Sequence, residues 1–300
     1  MTQKSLSGVL SALVTPLNGE GEIDEAAIAR LVQHIRAGGV KGVCPVGSTG
    51  EGPHLSAAQR LQVVKAVRRE AGSDLPVIPG VAATAFEDAR RQVDDYAKAG
   101  ADAVLVTPPF YYLLPQSAVR DFFLSLADAS PLPVLLYNIP HLTKVAIAPE
   151  TVAELARHAK IAGMKDSSRD FEYFQNIAAF GLPEFSLLTG SDTMLLASLL
   201  AGGHGTIAAS TNLAPWLSVS LMDAVRAGDL ETARRLQFRL LHIVQLCRRG
   251  SFPAGWKAAL ELAGLCSART VPPTPPLSRE LTQQLFGDLK QSGLELAAAS

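Results

Sequence analysis

The stretch ADAVLVTPP at residues 101–109, with LPVLLYNIP at 132–140 and IAGMKDS at 161–167, decides the fold. Each is a near-continuous apolar run, the pattern of a strand buried on both faces in a parallel sheet covered by helices. Working outward, five more such runs appear: GVLSALVTPL at 8–17, GVCPVGS at 42–48, LPVIPGVA at 75–82, FSLLTGSD at 185–192 and HGTIAAS at 204–210. Between them apolar residues recur at helical spacing, as in Ile28, Leu31, Val32 and Ile35, or Leu61, Val64 and Val67. Asp24 and Ser56 stand where N-caps belong, while Gly38, Gly100 and Gly202 stand where helices stop. Eight strand-helix units over residues 8–227 predict an α/β fold, a closed (β/α)8 TIM barrel, since an open doubly wound sheet more often has fewer strands.

Residues 228–300 hold three more apolar-periodic segments, separated by residues 250–253 and by VPPTPP at 271–276. No long flexible linker precedes them, which predicts a C-terminal helical extension packed on a barrel of residues 1–227. With 300 residues, 48% of them hydrophobic, the chain has material for one large core. Its 27 basic and 28 acidic side chains are spread along the length, so neither nucleic acid nor an anionic membrane has a charged block to recognise, and a small-molecule partner is expected. Cys44, Cys247 and Cys266 lie far apart, without CxxC or clustered histidines, which predicts a reducing, cytoplasmic setting with no disulfide framework and no metal. The N-terminal apolar run lacks the features of a secretory signal, and no segment reaches the roughly 18 apolar residues of a membrane helix.

Active sites of such barrels lie at the C-terminal ends of the strands, and here those ends are polar. The second run ends in Gly47, Ser48, Thr49, Gly50 and Glu51, and the fourth leads into Phe110, Tyr111 and Tyr112. The fifth ends in Tyr137 and Asn138, the sixth in Lys165 and Asp166, the seventh in Gly190, Ser191 and Asp192. A lysine ending an apolar strand points into the barrel mouth, where lost hydration favours the neutral amine that attacks a ketone. Pairing of Lys165 with Asp166, or an ammonium that snorkels to water, is the plainer reading of the same residue. Tyr137 is either a proton-passing phenol or a core aromatic, and Tyr111 has the same two readings. The 47–51 turn offers backbone amides and two hydroxyls to a carboxylate or phosphate oxygen, but it lacks the lysine of a P-loop. Gly202, Gly203 and Gly205 make no dinucleotide fingerprint, and His34, His158 and His242 fall on helical stretches where a solvated surface role is expected.

GSTGE at 47–51, TPPFYY at 107–112, YNIP at 137–140, GMKDSS at 163–168 and GSD at 190–192, in that order, resemble the dihydrodipicolinate synthase and N-acetylneuraminate lyase superfamily over nearly the whole chain. The resemblance implies a class I aldolase cycle in which Lys165 forms a Schiff base with a 2-oxo acid such as pyruvate and Tyr137 relays protons. It implies that Ser48 and Thr49 hold the oxo-acid carboxylate with the backbone at Ile207, and that Gly190 and Asp192 line the substrate site. It further implies that Tyr111 reaches across a subunit interface in a homotetramer built as a dimer of dimers, with no metal and no organic cofactor. Relatives that make dihydrodipicolinate carry an arginine where this chain has Leu142, which disfavours condensation with aspartate semialdehyde. The sialic acid lyase branch carries a glutamate where this chain has Thr193. The expected substrate is therefore a 2-keto-3-deoxy sugar acid or a hydroxy-oxo acid, for aldol cleavage or dehydration. 4-Hydroxy-tetrahydrodipicolinate synthase activity, with another group in place of the arginine, and a non-catalytic carboxylate-binding barrel are the alternatives.

Overall fold

Eight strands, β1 (Gly8–Ala12), β2 (Val43–Cys44), β3 (Gly80–Val81), β4 (Val104–Val106), β5 (Val134–Asn138), β6 (Ile161–Asp166), β7 (Ser186–Thr189) and β8 (Gly205–Ala208), pair in the order β2-β1-β8-β7-β6-β5-β4-β3. Every pairing is parallel in this computed structural model, which describes residues 6–294. The two ends of that order also meet: Val43 bridges Val77 in parallel, and Val43 N and Ile78 N donate to Pro76 O and Val43 O, both at 2.8 Å. The sheet thereby closes into a (β/α)8 barrel. β2 and β3 are only two residues each, shorter than the apolar runs that contain them. Pro45, Pro76 and Pro79 cause this, because a proline has no N–H to give to a ladder.

Helices α1 (Glu25–Ala37), α2 (Ala57–Ala71), α3 (Phe86–Lys98) and α4 (Gln116–Ala129) follow the first four strands, and α5 (Pro140–Thr143) with α6 (Pro149–Leu155) follows β5. After the last three strands come α7 (Phe171–Ala179), α8 (Leu195–Leu200) and α9 (Pro215–Arg226). Asp24 caps α1 by accepting from Ala27 N at 2.9 Å, and Ser56 and Gln59 form a reciprocal capping box on α2, each device contributing about 1 kcal/mol. Gly100 and Gly202 have the left-handed φ expected of helix stops, +86° and +94°. Gly38 differs: its φ is −77°, and the left-handed residue after α1 is Gly39. Position 38 needs glycine because a Cβ there would collide with the Pro215 ring that opens α9. His34, expected on a solvated face, is half-buried, with its Nε2 3.2 Å from Leu213 O and its ring edge-on to Trp216.

Alternation along the strands divides the core in two. Leu10, Leu105, Leu135, Leu188 and Ile207 fill the barrel interior, whereas Val9, Val104, Val134, Leu136 and Leu187 pack outward under the helices. The C-terminal helices α10 (Leu230–Cys247), α11 (Ala254–Leu262) and α12 (Arg279–Gln291) share that outer core through Leu240, Val244, Trp256 and Leu285. Hydrogen bonds fasten them further. Gln237 donates to Asp192 O at 3.0 Å and accepts from Leu196 N at 2.8 Å, and Ser267 donates to Leu17 O at 2.7 Å.

Candidate active site

Tyr137 on β5 and Lys165 on β6 are directly paired in register, so both side chains point into the barrel mouth. Their flanking residues Leu136 and Met164 belong to the outer core, which fixes that direction. Lys165 is 5% exposed, and its Nζ lies 4.6 Å from the Tyr137 ring centroid. It has no ion pair with Asp166. Adjacent strand residues face opposite ways, and the Asp166 carboxylate accepts from Asn138 Nδ2 at 2.9 Å, Ser168 N at 3.1 Å and Ser168 Oγ at 2.9 Å. Both plain readings of the lysine thus fail, since it is neither paired with its neighbour nor extended to water. Burial pushes the nearby Cys44 thiol up to about 11 against the opposing charge of Lys165, which leaves it protonated.

The 46–52 turn brings Ser48 and Thr49 to the same mouth, with Ser48 Oγ 3.5 Å from the Tyr137 hydroxyl. This turn is held under strain: Val46 and Glu51 are non-glycine residues with φ of 50° and 54°. A Cβ at position 52 would collide with Val46 O, so glycine is required where the chain folds back on itself. Three contacts hold the shape. Thr15 donates to Gly50 O at 2.6 Å, Glu51 accepts from Val271 N at 2.8 Å, and its second carboxylate oxygen lies 2.6 Å from Lys257 Nζ on α11. Lys257 and Glu51 are both buried, and Lys257 spends a hydrogen bond on Arg269 O at 2.7 Å. Burial lowers the lysine's proton affinity, and the glutamate opposes that.

Across the mouth, Gly190 makes room for the lysine: a Cβ there would overlap Ser167 Oγ and stand 2.6 Å from Lys165 Cε. Asp192 is buried, and one carboxylate oxygen accepts the Ser210 hydroxyl. Burial raises its proton affinity, countered by Ser210 and by the charges of Arg248 and Lys165. Ile207 lies on β8 with its side chain fully inside the barrel. Tyr111 stands apart: it is 83% exposed at φ 88°, its ring edge-on to Tyr112, and it does not line the cavity of its own chain.

Ser48, Thr49, Tyr137, Lys165, Gly190, Asp192 and Ile207 all border one cavity of about 380 Å³, so seven of the eight residues expected from the sequence converge. Besides Leu142, which the sequence reading had singled out, that cavity is lined by His141, Arg169, Arg248 and Trp256, which it had not. His141 and Leu142 come from α5, Arg169 follows the β6 motif, and Arg248 and Trp256 come from the C-terminal helices. Arg169 had a signal, since it directly follows KDSS; Arg248 had none, since it lies in the helical extension. Among the described residues no cluster of three or more His, Cys, Asp or Glu is arranged to hold a metal ion, and no helix is long and apolar enough to cross a membrane.

A model of the dihydrodipicolinate synthetase family matches residues 5–292. 4-Hydroxy-tetrahydrodipicolinate synthase of Methanopyrus kandleri is 37% identical over 295 residues, covering 96% of this chain and 97% of that protein. The enzyme of the same name from Acidiphilium cryptum is 37% identical over 287 residues, covering 96% and 98%. Among solved structures, the Escherichia coli prophage protein YagE in complex with pyruvate superposes with a TM-score of 0.92 at 31% identity, covering 96% of this chain and 99% of that one. Dihydrodipicolinate synthase of Bacteroides thetaiotaomicron does so with 0.91 at 34%, covering 97% and 100%. The chain belongs to the dihydrodipicolinate synthetase family, whose members are class I aldolase-type lyases.

Proposed function

We propose that Lys165 forms a Schiff base with pyruvate and that the resulting enamine makes or breaks a carbon-carbon bond to an aldehyde. The observation that carries this reading is the enclosure of Lys165 Nζ beside Tyr137, with every nearby carboxylate engaged elsewhere. Ser48 and Thr49 grip the pyruvate carboxylate together with the backbone around Ile207, which turns the ketone carbon toward the amine. The amine adds to that carbon, Tyr137 passes a proton to the departing oxygen, and water leaves as the imine forms. The protonated imine then draws electrons from the C–H bond of the methyl group, whose proton passes to the Tyr137 phenolate and reloads it, leaving an enamine with a nucleophilic carbon. Borohydride with pyruvate tests this directly: the Lys165 peptide gains the mass of a reduced pyruvate adduct, and its absence would overturn the mechanism.

For the second substrate, the names of the curated relatives favour the synthase reaction, pyruvate plus aspartate semialdehyde, over a sugar acid. Leu142, which is 56% exposed at the cavity, favours the sugar-acid reading, because it supplies no charge for a second carboxylate. Turnover with pyruvate and aspartate semialdehyde, set beside pyruvate release from 2-keto-3-deoxy sugar acids, decides between them. Exposed Tyr111, Tyr112 and Leu113 are the natural seat of a subunit contact, which supports reading the active species as a homotetramer in which Tyr111 completes a neighbour's site. Light scattering reads the mass, and a monomeric, fully active enzyme would remove Tyr111 from the mechanism.

A further inference from the structure

The cavity that Leu142 borders is also lined by two arginines that nothing in the Schiff-base chemistry uses. Arg169 follows β6 in a left-handed conformation (φ 65°), and Arg248 caps the C-terminal end of α10. Both border the cavity that holds Lys165. Neither has a carboxylate within ion-pair distance among the described residues, although the charge of Asp192 reaches Arg248. Asp192 accepts the Ser210 hydroxyl, while Asp166 and Asp170, close to Arg169 in sequence, are held by Asn138 with Ser168 and by the N-terminus of α7. Burial first, and then the charge of Arg169, lowers the proton affinity of Arg248, and the same two causes act in that order on His141. Two guanidiniums that border one cavity with no carboxylate in ion-pair contact offer a site for an anion, since each supplies the paired donors a carboxylate or phosphate accepts.

We propose that Arg169 and Arg248 bind an anionic group on the second substrate, so that the aldehyde joined to pyruvate carries a carboxylate or phosphate remote from its carbonyl. This rests on the pyruvate imine at Lys165. In the forward step the enamine carbon bonds to the aldehyde carbon, the carbonyl electron pair moves onto oxygen, and that oxygen takes a proton from Tyr137. Water then hydrolyses the imine, which releases a 4-hydroxy-2-oxo acid and returns the amine. The arginine pair fixes the far end of the aldehyde while Lys165 fixes the near one. It thereby supplies, within the same cavity, the charge that Leu142 lacks.

The test is kcat/KM for the aldehyde at saturating pyruvate across three sets: neutral (glyceraldehyde, glycolaldehyde), carboxylated (aspartate semialdehyde, succinic semialdehyde) and phosphorylated (glyceraldehyde 3-phosphate). The parent enzyme prefers one of the anionic sets, and which one identifies the group bound. Arg169→Gln and Arg248→Gln each lower the ratio of anionic to neutral kcat/KM by about 10-fold, chiefly through KM, and Arg→Lys restores part of it. A parent with no preference for anionic aldehydes, or variants that lose both sets equally, would overturn the proposal. Borohydride trapping of pyruvate on the parent reads the imine separately. Intact trapping without anionic preference refutes only the arginine site, whereas failed trapping refutes the mechanism beneath it.

Discussion

Lys257→Met removes the ammonium 2.6 Å from Glu51, the contact through which α11 holds the turn bearing Ser48 and Thr49. It leaves a buried carboxylate with Val271 N as its remaining hydrogen-bond donor. Both partners are buried, so water cannot replace the lost charge, and breaking such a pair costs about 3–5 kcal/mol. At about 2 °C per kcal/mol for a chain of this size, the melting temperature falls by about 6–10 °C. Strain at Val46 and Glu51 then relaxes, the hydroxyls of residues 48 and 49 lose their aim, and KM for pyruvate rises by about 10-fold. The assays are thermal and urea unfolding together with pyruvate saturation curves. The double variant Glu51→Gln with Lys257→Met, which leaves no orphan charge, must be less destabilised than Lys257→Met alone. A single variant as stable as the parent, or a double variant that is worse, would refute the view that this ion pair sets the turn.

Other perturbations follow from the same geometry. Gly190→Ala drives a methyl group against Ser167 and Lys165, costing about 1–3 kcal/mol of stability and slowing borohydride trapping of pyruvate by about 100-fold; trapping at the parent rate would show that the lysine does not need that space. Tyr137→Phe lowers kcat by about 100-fold or more with a smaller change in KM, and an unchanged kcat would mean that protons travel by another route. Asp192, whose proton affinity burial raises in the folded state, costs stability when ionised; that cost is present above its folded pKa and vanishes as pH falls through it. Asp192→Asn therefore stabilises the fold at neutral pH and loses this advantage in acid. Melting curves across pH that show a constant offset would contradict this sign.

Strand and helix alternation was legible because a parallel sheet covered on both faces must be apolar throughout, and eight such runs leave little choice of architecture. Strand lengths were not, since Pro45, Pro76 and Pro79 cut the second and third ladders short without changing the apolar pattern around them. Lys165, Tyr137, Ser48 and Asp192 could be named because each ends an apolar run, and the barrel gathers run ends at one rim. Arg248 and Lys257 escaped notice for the converse reason. Both belong to helices after the barrel, where a charged residue ordinarily means a solvated face, and only the packing of α10 and α11 on the rim turns one toward the cavity and buries the other.

That packing gives the C-terminal helices a part in the site itself. Trp256 and Arg248 border the cavity, Lys257 holds the turn that bears Ser48 and Thr49, and Gln237 grips the backbone at Asp192. In the proposed mechanism the barrel itself supplies the amine, the phenol and the hydroxyls that act on the oxo acid. α10 and the residues after β6 add Arg248 and Arg169, the charges proposed to select the other substrate. If the two arginines select the aldehyde as proposed, changing it requires no change to the Schiff-base residues, because different side chains of one cavity carry the two functions.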